Sequence, residues 1–170
     1  LWKGYNLYKL YQEAYTPFEW HDELFQFASN NNIILFSTAF DETAVDLLEK
    51  LNVPAYKVAS FELTDLPLIK YIASKNKPIF LSTGMSNLDE IGEAVETCYK
   101  HDNKNILLFH CISSYPAKLS ESNLGDINYI ANHFNVEVGL SDHTTSNVAS
   151  IIAVASLGVL FMGDSDDHPL

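Results

Sequence analysis

Side chains that could carry chemistry recur at the ends of short apolar runs along the 170-residue sequence. The clearest example is AYKVASFE, residues 55–62, which brings together Lys57, Ser60 and Glu62. In folds built from parallel strands and helices, the chemistry lies where the strands end at their carboxyl side. A lysine, a hydroxyl and a carboxylate at such an edge indicate an enzyme.

Lys57 lies within a run that is expected to be buried, where a lysine is costly unless it is paired or bound to an anion. One hypothesis is an internal ion pair with a carboxylate. A second is a site for a phosphate or carboxylate, with the hydroxyls of Thr38, Ser60 and Ser82 as further donors. A third is the Schiff-base lysine of an aldolase. The residues alone leave all three open.

Two histidines stand at neighbouring strand ends. His143 follows Ser141 and Asp142, and His110 belongs to the preceding run. Two such histidines could share a metal ion, or one of them could act as a general base. His110 lies inside its apolar run, which favours a structural role, whereas His143 lies beyond its run, which favours a functional one.

Short runs rich in β-branched and apolar residues predict the strands that position these side chains. Six such runs occupy residues 33–38, 55–62, 78–84, 106–114, 136–143 and 158–164. Because they are apolar without strict alternation, they suit parallel strands that are covered on both faces. Segments with helical periodicity separate them, so the sequence predicts six βα units.

The predicted helices have recognisable starts, in which a capping side chain precedes an acidic residue or a proline. The expected caps are Thr16 with Pro17 and Glu19, Asp41 or Thr43, Thr64 or Asp65 before Pro67, Ser86 with Asp89, and Thr145 or Ser146. A helix of weaker pattern is expected over residues 123–131.

Six parallel βα units admit two architectures. An open doubly wound sheet that binds nucleotides requires a glycine-rich turn after an early strand, and the sequence has none. A (β/α)8 barrel requires eight units and typically about 250 residues. With six units, a barrel would leave two parallel edges exposed. The sequence is therefore expected to be a fragment or to complete its sheet with another partner.

The composition excludes several classes of function. A net charge of −12, with acidic residues spread along the helices, argues against a nucleic-acid-binding surface. Cys98 and Cys111 are too few for a disulfide framework, which favours reduced thiols in the cytoplasm. The longest apolar run, residues 148–162, is too short to span a membrane.

Three stretches of the sequence resemble the nonulosonic acid synthases, the family that includes sialic acid synthase. They are residues 36–85, which begin FSTAFDETAVDLLEK, residues 110–117, HCISSYPA, and residues 136–144, VEVGLSDHT. The resemblance extends from about Leu1 to Leu157. The opening segment and Phe61, where sialic acid synthases more often have a glycine, indicate the branch of the family that makes pseudaminic acid.

The resemblance implies a (β/α)8 TIM barrel that condenses phosphoenolpyruvate with the open-chain aldehyde of an acetamido sugar and releases phosphate. The expected sugar is a 2,4-diacetamido-2,4,6-trideoxy hexose. The alternatives are N-acetylmannosamine, a legionaminic acid precursor, or a catalytically inactive fragment. A divalent metal, manganese or magnesium, would act as a Lewis acid on the aldehyde and orient a water molecule. A homodimer is expected for the full-length parent.

The resemblance also assigns residues. The positions that match phosphoenolpyruvate contacts are Thr38, Lys57, Ser60, Ser82, Ser113 and Ser141. Glu62 and Tyr115 match positions on the sugar side, and His143 matches a metal ligand. Glu62 and His143 are the expected catalytic residues. For Lys57, the resemblance replaces the Schiff-base hypothesis with an electrostatic one.

The sequence also departs from the family pattern. The family's first two strands, which carry a catalytic glutamate, would precede Leu1, and the smaller domain that follows the barrel is missing. Residues 1–170 are thus expected to form a partial barrel domain. Ser165 stands where the second metal-binding histidine is expected, and His168 lies three residues further on. A metal held by one histidine would bind weakly.

Overall fold

The computed structural model describes residues 6–157 and 161–163 of the chain. The described residues fall into two units, which divide between Leu35 and Phe36. Among the described helices, none combines the length and hydrophobicity that a membrane-spanning helix requires.

The first unit contains two helices. Helix α1 (Leu7–Ala14) begins at Asn6, whose side chain accepts a hydrogen bond from the Tyr8 N–H over 2.9 Å. A 3-10 turn (Phe18–Trp20) then leads into α2 (His21–Asn30). The expected cap at Thr16 is wrong, because the Trp20 N–H bonds to the Pro17 carbonyl and closes this turn before the α-helix begins.

The second unit is built on a parallel sheet. Its strands are β1 (Ser37–Thr38), β2 (Tyr56–Val58), β3 (Ile79–Ser82), β4 (Ile106–His110), β5 (Glu137–Asp142) and β6 (Phe161–Gly163). Their order across the sheet is β1-β2-β3-β4-β5-β6, and every pair is parallel. A doubly wound sheet reverses its strand order at a switch point, whereas successive strands of a (β/α)8 barrel lie side by side as these do.

The strands are shorter than the apolar runs that predicted them. Only Ser37 and Thr38 of the first run pair with a neighbour in the described sheet, and the second run leaves the sheet after Val58. A 3-10 turn (Ser60–Glu62) follows β2 directly. The run at residues 158–164 contributes β6, and its remaining residues lie outside the described part. The polar ends of the runs therefore form loops at the carboxyl edge.

The helices of the second unit are α3 (Glu42–Lys50), α4 (Leu66–Ala73), α5 (Leu88–Lys100), α6 (Gly125–Phe134) and α7 (Val148–Ile152), which continues as a π-helical segment (Ala153–Leu157). Asp41 and Asp65 cap α3 and α4, as one of the two alternatives predicted in each case. The last helix begins at Val148, whose N–H donates to the Oγ of Ser146, one of the two expected caps, over 3.2 Å. Asn147, which directly precedes the helix, makes no side-chain capping bond.

The capping box of α5 lies one residue later than predicted. It joins Asn87 and Glu90 through two hydrogen bonds of 3.0 and 2.8 Å, and not Ser86 and Asp89. The Ser86 N–H instead bonds to the Thr83 carbonyl, so that Ser86 belongs to the turn before the helix. Two overlapping pairs have the spacing of a capping box, and the preceding turn decides between them.

Alternate residues of the strands face opposite sides of the sheet. Fully buried side chains on one face include Tyr56, Val58, Ile79, Leu81 and Leu108. On the other face, Lys57 aligns with Thr38 of β1 and Phe80 of β3. The rings of Phe36, Phe80 and Phe109 pack in a row, with centroid distances of 5.2 and 5.8 Å. The face that carries Lys57 is the one that leads to the candidate site.

Candidate functional site

A cavity of about 240 Å³ opens at the carboxyl edge of the sheet. Its walls are formed by Lys57, Ala59, Ser60, Phe61, Ser82, Cys111, Ser113, Tyr115, Ser141 and His143. Seven of the nine predicted site residues are among them. They come from segments more than 80 residues apart in the sequence, so the parallel sheet brings them together. Their roles stay predictions, but their gathering in one cavity is a property of the fold.

The exposed fractions of the wall residues distinguish a buried floor of the cavity from an open mouth. Ser82, Ser141 and His143 are 3%, 4% and 6% exposed, respectively. Phe61 and Tyr115 are 70% and 60% exposed. The floor is thus lined by hydroxyl groups and an imidazole, and the mouth carries two aromatic rings. Such a cavity suits a ligand that is anionic at one end and bulkier at the other.

A larger cavity of about 680 Å³ lies between the starts of α5 and α6. Asp89, Asp126 and Tyr129 are on its wall, and no lysine or predicted site residue lines it. Its acidic wall does not suit an anionic ligand. Size alone therefore does not identify the functional cavity. The smaller cavity has the lysine and hydroxyl groups that suit an anionic ligand.

Ser60 is held at the cavity wall by the backbone of a neighbouring loop. The Gly84 N–H donates to Ser60 Oγ over 3.2 Å, and Ser60 Oγ lies 3.4 Å from Cys111 Sγ. A Cβ atom on Gly84 would lie 2.6 Å from Ser113 Oγ and 2.7 Å from Cys111 Sγ. Only glycine lets these two loops approach so closely.

The orientation of His143 is fixed by contacts to both ring nitrogens and to the face of the ring. Its Nδ1 lies 2.7 Å from the carbonyl oxygen of Ile112, and because a carbonyl only accepts, Nδ1 carries the hydrogen in this arrangement. In the neutral ring, Nε2 is then left as an acceptor or metal ligand. Ser141 Oγ lies 3.3 Å from Nε2, and the Tyr115 ring stacks on the imidazole at 4.3 Å.

The contacts around His143 suit an imidazole that acts as one ligand of a metal ion. A backbone carbonyl that holds the opposite ring nitrogen is the usual support of a ligating histidine. Within the described part of the chain, no group of three histidine, cysteine or acidic residues could hold a metal. Ser165 and His168, the two positions considered for a second ligand, lie outside the described residues.

Glu62 and Thr38 do not line the cavity. Thr38 lies one strand away from Lys57, in register with it. Glu62 ends the 3-10 turn after β2, and its Oε2 is buried with no hydrogen-bond partner among the described residues. Burial raises the pKa of Glu62, as does the charge of Asp65, whereas the charge of Lys57 opposes the rise.

His110 has the structural role that the sequence favoured. It is 6% exposed, and its Nε2 lies 2.8 Å from the carbonyl oxygen of Ser122. His110 does not line the cavity of about 240 Å³, and the void that both histidines border is only about 10 Å³ in volume. The hypothesis that the two histidines share a metal ion is not supported by this arrangement.

Sequence reasoning missed Ala59 and Cys111 as parts of the cavity wall. The cysteine count predicts only that Cys111 is a reduced thiol, and it is free and buried. Its position could have indicated more, because it ends the same run as His110 and lies two residues before Ser113. Ala59 offers no functional group, so no residue-type argument would have found it.

The sequence matches the NeuB family over residues 1–161. It is 44% identical over 153 residues to the pseudaminic acid synthase of Helicobacter pylori, covering 90% of this chain and 45% of that protein. It is 45% identical over 137 residues to the N,N'-diacetyllegionaminic acid synthase of Campylobacter jejuni, covering 79% of this chain and 41% of that protein.

Among solved structures, the chain is similar to the N-acetylneuraminic acid synthetase of Leptospira borgpetersenii, with a TM-score of 0.86 and 28% identity. That match covers 95% of this chain and 56% of the other. The spore coat polysaccharide biosynthesis protein SpsE of Bacillus subtilis matches with a TM-score of 0.82 and 32% identity, over 94% of this chain and 45% of that one.

These likenesses confirm the prediction of a TIM-barrel type of α/β fold. The chain spans about half the length of the curated relatives it matches. The family match covers far more than half of the residues, and it includes all of the cavity wall. The chain therefore belongs to the NeuB family.

Proposed function

We propose that this chain forms the phosphoenolpyruvate-binding part of a nonulosonic acid synthase barrel. The enzyme condenses phosphoenolpyruvate with the open-chain aldehyde of a 2,4-diacetamido-2,4,6-trideoxy hexose. A carbon–carbon bond forms, water adds, and phosphate leaves. The identity to the pseudaminic acid synthase supports this choice of sugar. Residues 1–170 then represent a partial TIM-barrel domain of the enzyme.

The proposal depends on the polar lining of the cavity. One ammonium group and four hydroxyl donors line it, from Lys57, Ser60, Ser82, Ser113 and Ser141. Charge-assisted hydrogen bonds of this kind suit the phosphate and carboxylate of phosphoenolpyruvate. The chain carries a net charge of −12, so an anion must be attracted locally and not by the protein as a whole. In the same proposal, Thr38 supports Lys57 from the next strand.

The acceptor sugar would occupy the mouth of the cavity. Tyr115 lies there and presents both a ring and a hydroxyl group. Glu62 follows Phe61 directly and lies behind the cavity wall, and a carboxyl group whose pKa is raised by burial suits a residue that holds a proton near the acceptor site. Glu62 and His143 are the proposed catalytic residues.

Synthases of the NeuB family are generally metal-dependent. His143 Nε2 would supply one ligand, because the Ile112 carbonyl holds the hydrogen on Nδ1. A bound divalent ion, which we propose to be manganese or magnesium, would polarise the aldehyde carbonyl as a Lewis acid. The stacked Tyr115 ring restricts the imidazole to one plane and so keeps Nε2 directed at the same point.

A legionaminic acid precursor is the second candidate acceptor. The legionaminic acid synthase is as similar to this chain as the pseudaminic acid synthase is, at 45% and 44% identity, although over fewer residues. Both candidates are acetamido sugars, so the phosphoenolpyruvate end of the site is the same for either. The proposed setting is a cytoplasmic homodimer without nucleic-acid or membrane partners, which agrees with two free buried thiols.

Phosphate release tests the proposed function. Phosphoenolpyruvate and manganese are supplied with the 2,4-diacetamido-2,4,6-trideoxy hexose, with N-acetylmannosamine, or with no sugar. We expect phosphate only when a sugar is present, and most of it with the trideoxy sugar. Release that does not depend on any sugar would show a phosphatase and contradict the proposal, as would a folded chain that fails to bind phosphoenolpyruvate.

A further inference from the structure

We propose that Cys111 is a positioning residue whose thiol keeps the Ser60 hydroxyl group available as a hydrogen-bond donor to the bound anion. This inference rests on the proposed function and adds to it a residue that acts through another. Cys111 lies on the wall of the cavity of about 240 Å³ and is 3% exposed. The reaction proposed above makes no use of its sulfur.

Two neighbouring strand-end loops contact the oxygen atom of Ser60. The Gly84 N–H, which follows β3, donates to Ser60 Oγ over 3.2 Å. Cys111 Sγ, which follows β4, lies 3.4 Å from the same oxygen. A hydroxyl group can accept two hydrogen bonds and donate one. Gly84 therefore occupies one acceptor position of Ser60, and the role of Cys111 decides whether the Ser60 hydrogen is available to a ligand.

The hydrogen bond between Ser60 and Cys111 can run in either direction. Sulfur is a weak acceptor, whereas an ionised phosphate or carboxylate oxygen in the cavity is a much stronger one. When an anion is bound, the Ser60 hydrogen therefore goes to the anion. The thiol hydrogen of Cys111 then fills the second acceptor position of Ser60. With both positions filled, the hydroxyl group can only donate, which is what an anion requires.

Close packing holds the sulfur of Cys111 in place before any ligand arrives. Cys111 follows the last residue of β4 directly and is buried, so the sheet sets the position of its backbone. A Cβ atom on Gly84 would lie only 2.7 Å from Cys111 Sγ, which shows how near the two loops are. A donor that is already ordered loses little freedom when the anion binds, so even a weak S–H donor contributes to affinity.

Titration calorimetry with phosphoenolpyruvate measures the contribution of Cys111. We expect Cys111→Ala to bind phosphoenolpyruvate about 3- to 10-fold more weakly, the effect of losing one neutral hydrogen bond. Cys111→Ser retains a donor and should restore most of the lost affinity. Cys98→Ala is the matched control, because Cys98 is a fully buried cysteine on α5 that does not line the cavity. This control should bind as the unchanged protein does.

A second comparison separates positioning from a merely structural role. In a protein that already contains Ser60→Ala, Cys111→Ala should cause no further loss of affinity, because the group that Cys111 positions is gone. An equal loss with and without Ser60 would overturn the inference. So would an unaltered affinity in Cys111→Ala, although the anion site would then still stand.

Urea unfolding shows whether each variant is folded. If Cys111→Ala does not fold, Cys111→Val gives the same comparison, because valine fills the space of the thiol without a hydrogen-bonding group. Failure of the unchanged protein to bind phosphoenolpyruvate would contradict the proposed function itself, and this inference with it.

Discussion

The imidazole of His143 donates its Nδ1 hydrogen to the carbonyl oxygen of Ile112 across 2.7 Å. The two residues belong to adjacent strand-end loops, so the hydrogen bond joins the ends of β4 and β5. It selects the tautomer in which Nε2 has a lone pair. A backbone contact between two loops thus determines what the side chain can bind.

Replacing His143 should weaken metal binding. We expect His143→Ala to lower the affinity for Mn²⁺ by about 10-fold or more, because it removes the imidazole that we propose as a metal ligand. The amount of free Mn²⁺ in a titration, followed by electron paramagnetic resonance, measures this directly. His133→Ala, a change at an exposed histidine on α6, is the matched control. Equal Mn²⁺ affinity in both variants would remove His143 from the metal site.

Gly84 should not tolerate a side chain. In Gly84→Ala the Cβ would lie 2.8 Å from the Cys111 carbonyl oxygen, a backbone atom that cannot rotate away. We expect a loss of about 1–3 kcal/mol in the free energy of unfolding, measured in urea, and weaker binding of phosphoenolpyruvate.

Gly92→Ala is the control for this change. Its Cβ would make an ordinary contact of 3.4 Å with Phe134, and alanine suits the interior of α5 better than glycine does. We expect a gain of about 0.5–1 kcal/mol. If both glycine variants had the same free energy of unfolding, the close approach of the loops at Gly84 would not require a glycine.

Glu62 should make stability depend on pH in a definite direction. Burial raises its pKa above the ordinary value of 4.5, so the folded state binds the proton more tightly than the unfolded state does. The stabilisation is complete below the unfolded pKa and is lost as the pH rises through the folded pKa. Glu62→Gln, which stays neutral, should therefore gain stability relative to the unchanged protein between pH 4 and pH 7.

Urea unfolding of both proteins at the two pH values measures this difference. The paired control is Glu93→Gln, a change at an exposed carboxylate on α5. A constant difference between Glu62→Gln and the unchanged protein across this range would show that the carboxyl group titrates alike in the folded and unfolded states.

A polar network at the opposite end of β2 should contribute to stability and not to binding. The fully buried Tyr56 donates to Glu49 over 2.7 Å, and Lys77 pairs with the same carboxylate at 2.8 Å. Burial alone would raise the pKa of Glu49, but the hydrogen bonds from Lys77 and Tyr56 outweigh it and lower this pKa. We expect Glu49→Ala to cost about 1–2 kcal/mol, because it leaves the Tyr56 hydroxyl without its acceptor.

Glu96→Ala breaks only the exposed pair with Lys100 and should leave the free energy of unfolding nearly unchanged, because solvent screens such a pair. Urea unfolding separates the two variants, and both should keep their phosphoenolpyruvate affinity. A loss of affinity in Glu49→Ala would show that the network reaches the cavity.

The sequence predicted the parts of the fold that depend on local pattern. Apolar runs followed by polar residues identified the strands and the edge at which Lys57 and His143 meet. The strand lengths and the cap of α5 were not predicted correctly, because pairing stops where a turn begins and Asn87 competes with Ser86 at the same spacing. Cys111 shows the remaining limit: its place in the cavity depends on two loops that meet only in the folded protein.

The affinity of Lys57→Ala for phosphoenolpyruvate tests the central claim most directly. Titration calorimetry compares it with Lys70→Ala, which removes an exposed lysine from α4 and so makes the same change in net charge. We predict that Lys57→Ala weakens binding by roughly 10- to 100-fold, the effect of losing one charged hydrogen-bond donor, and that Lys70→Ala binds as the unchanged protein does. Equal affinity in the two variants would contradict the assignment of the cavity that Lys57 lines as the phosphoenolpyruvate site.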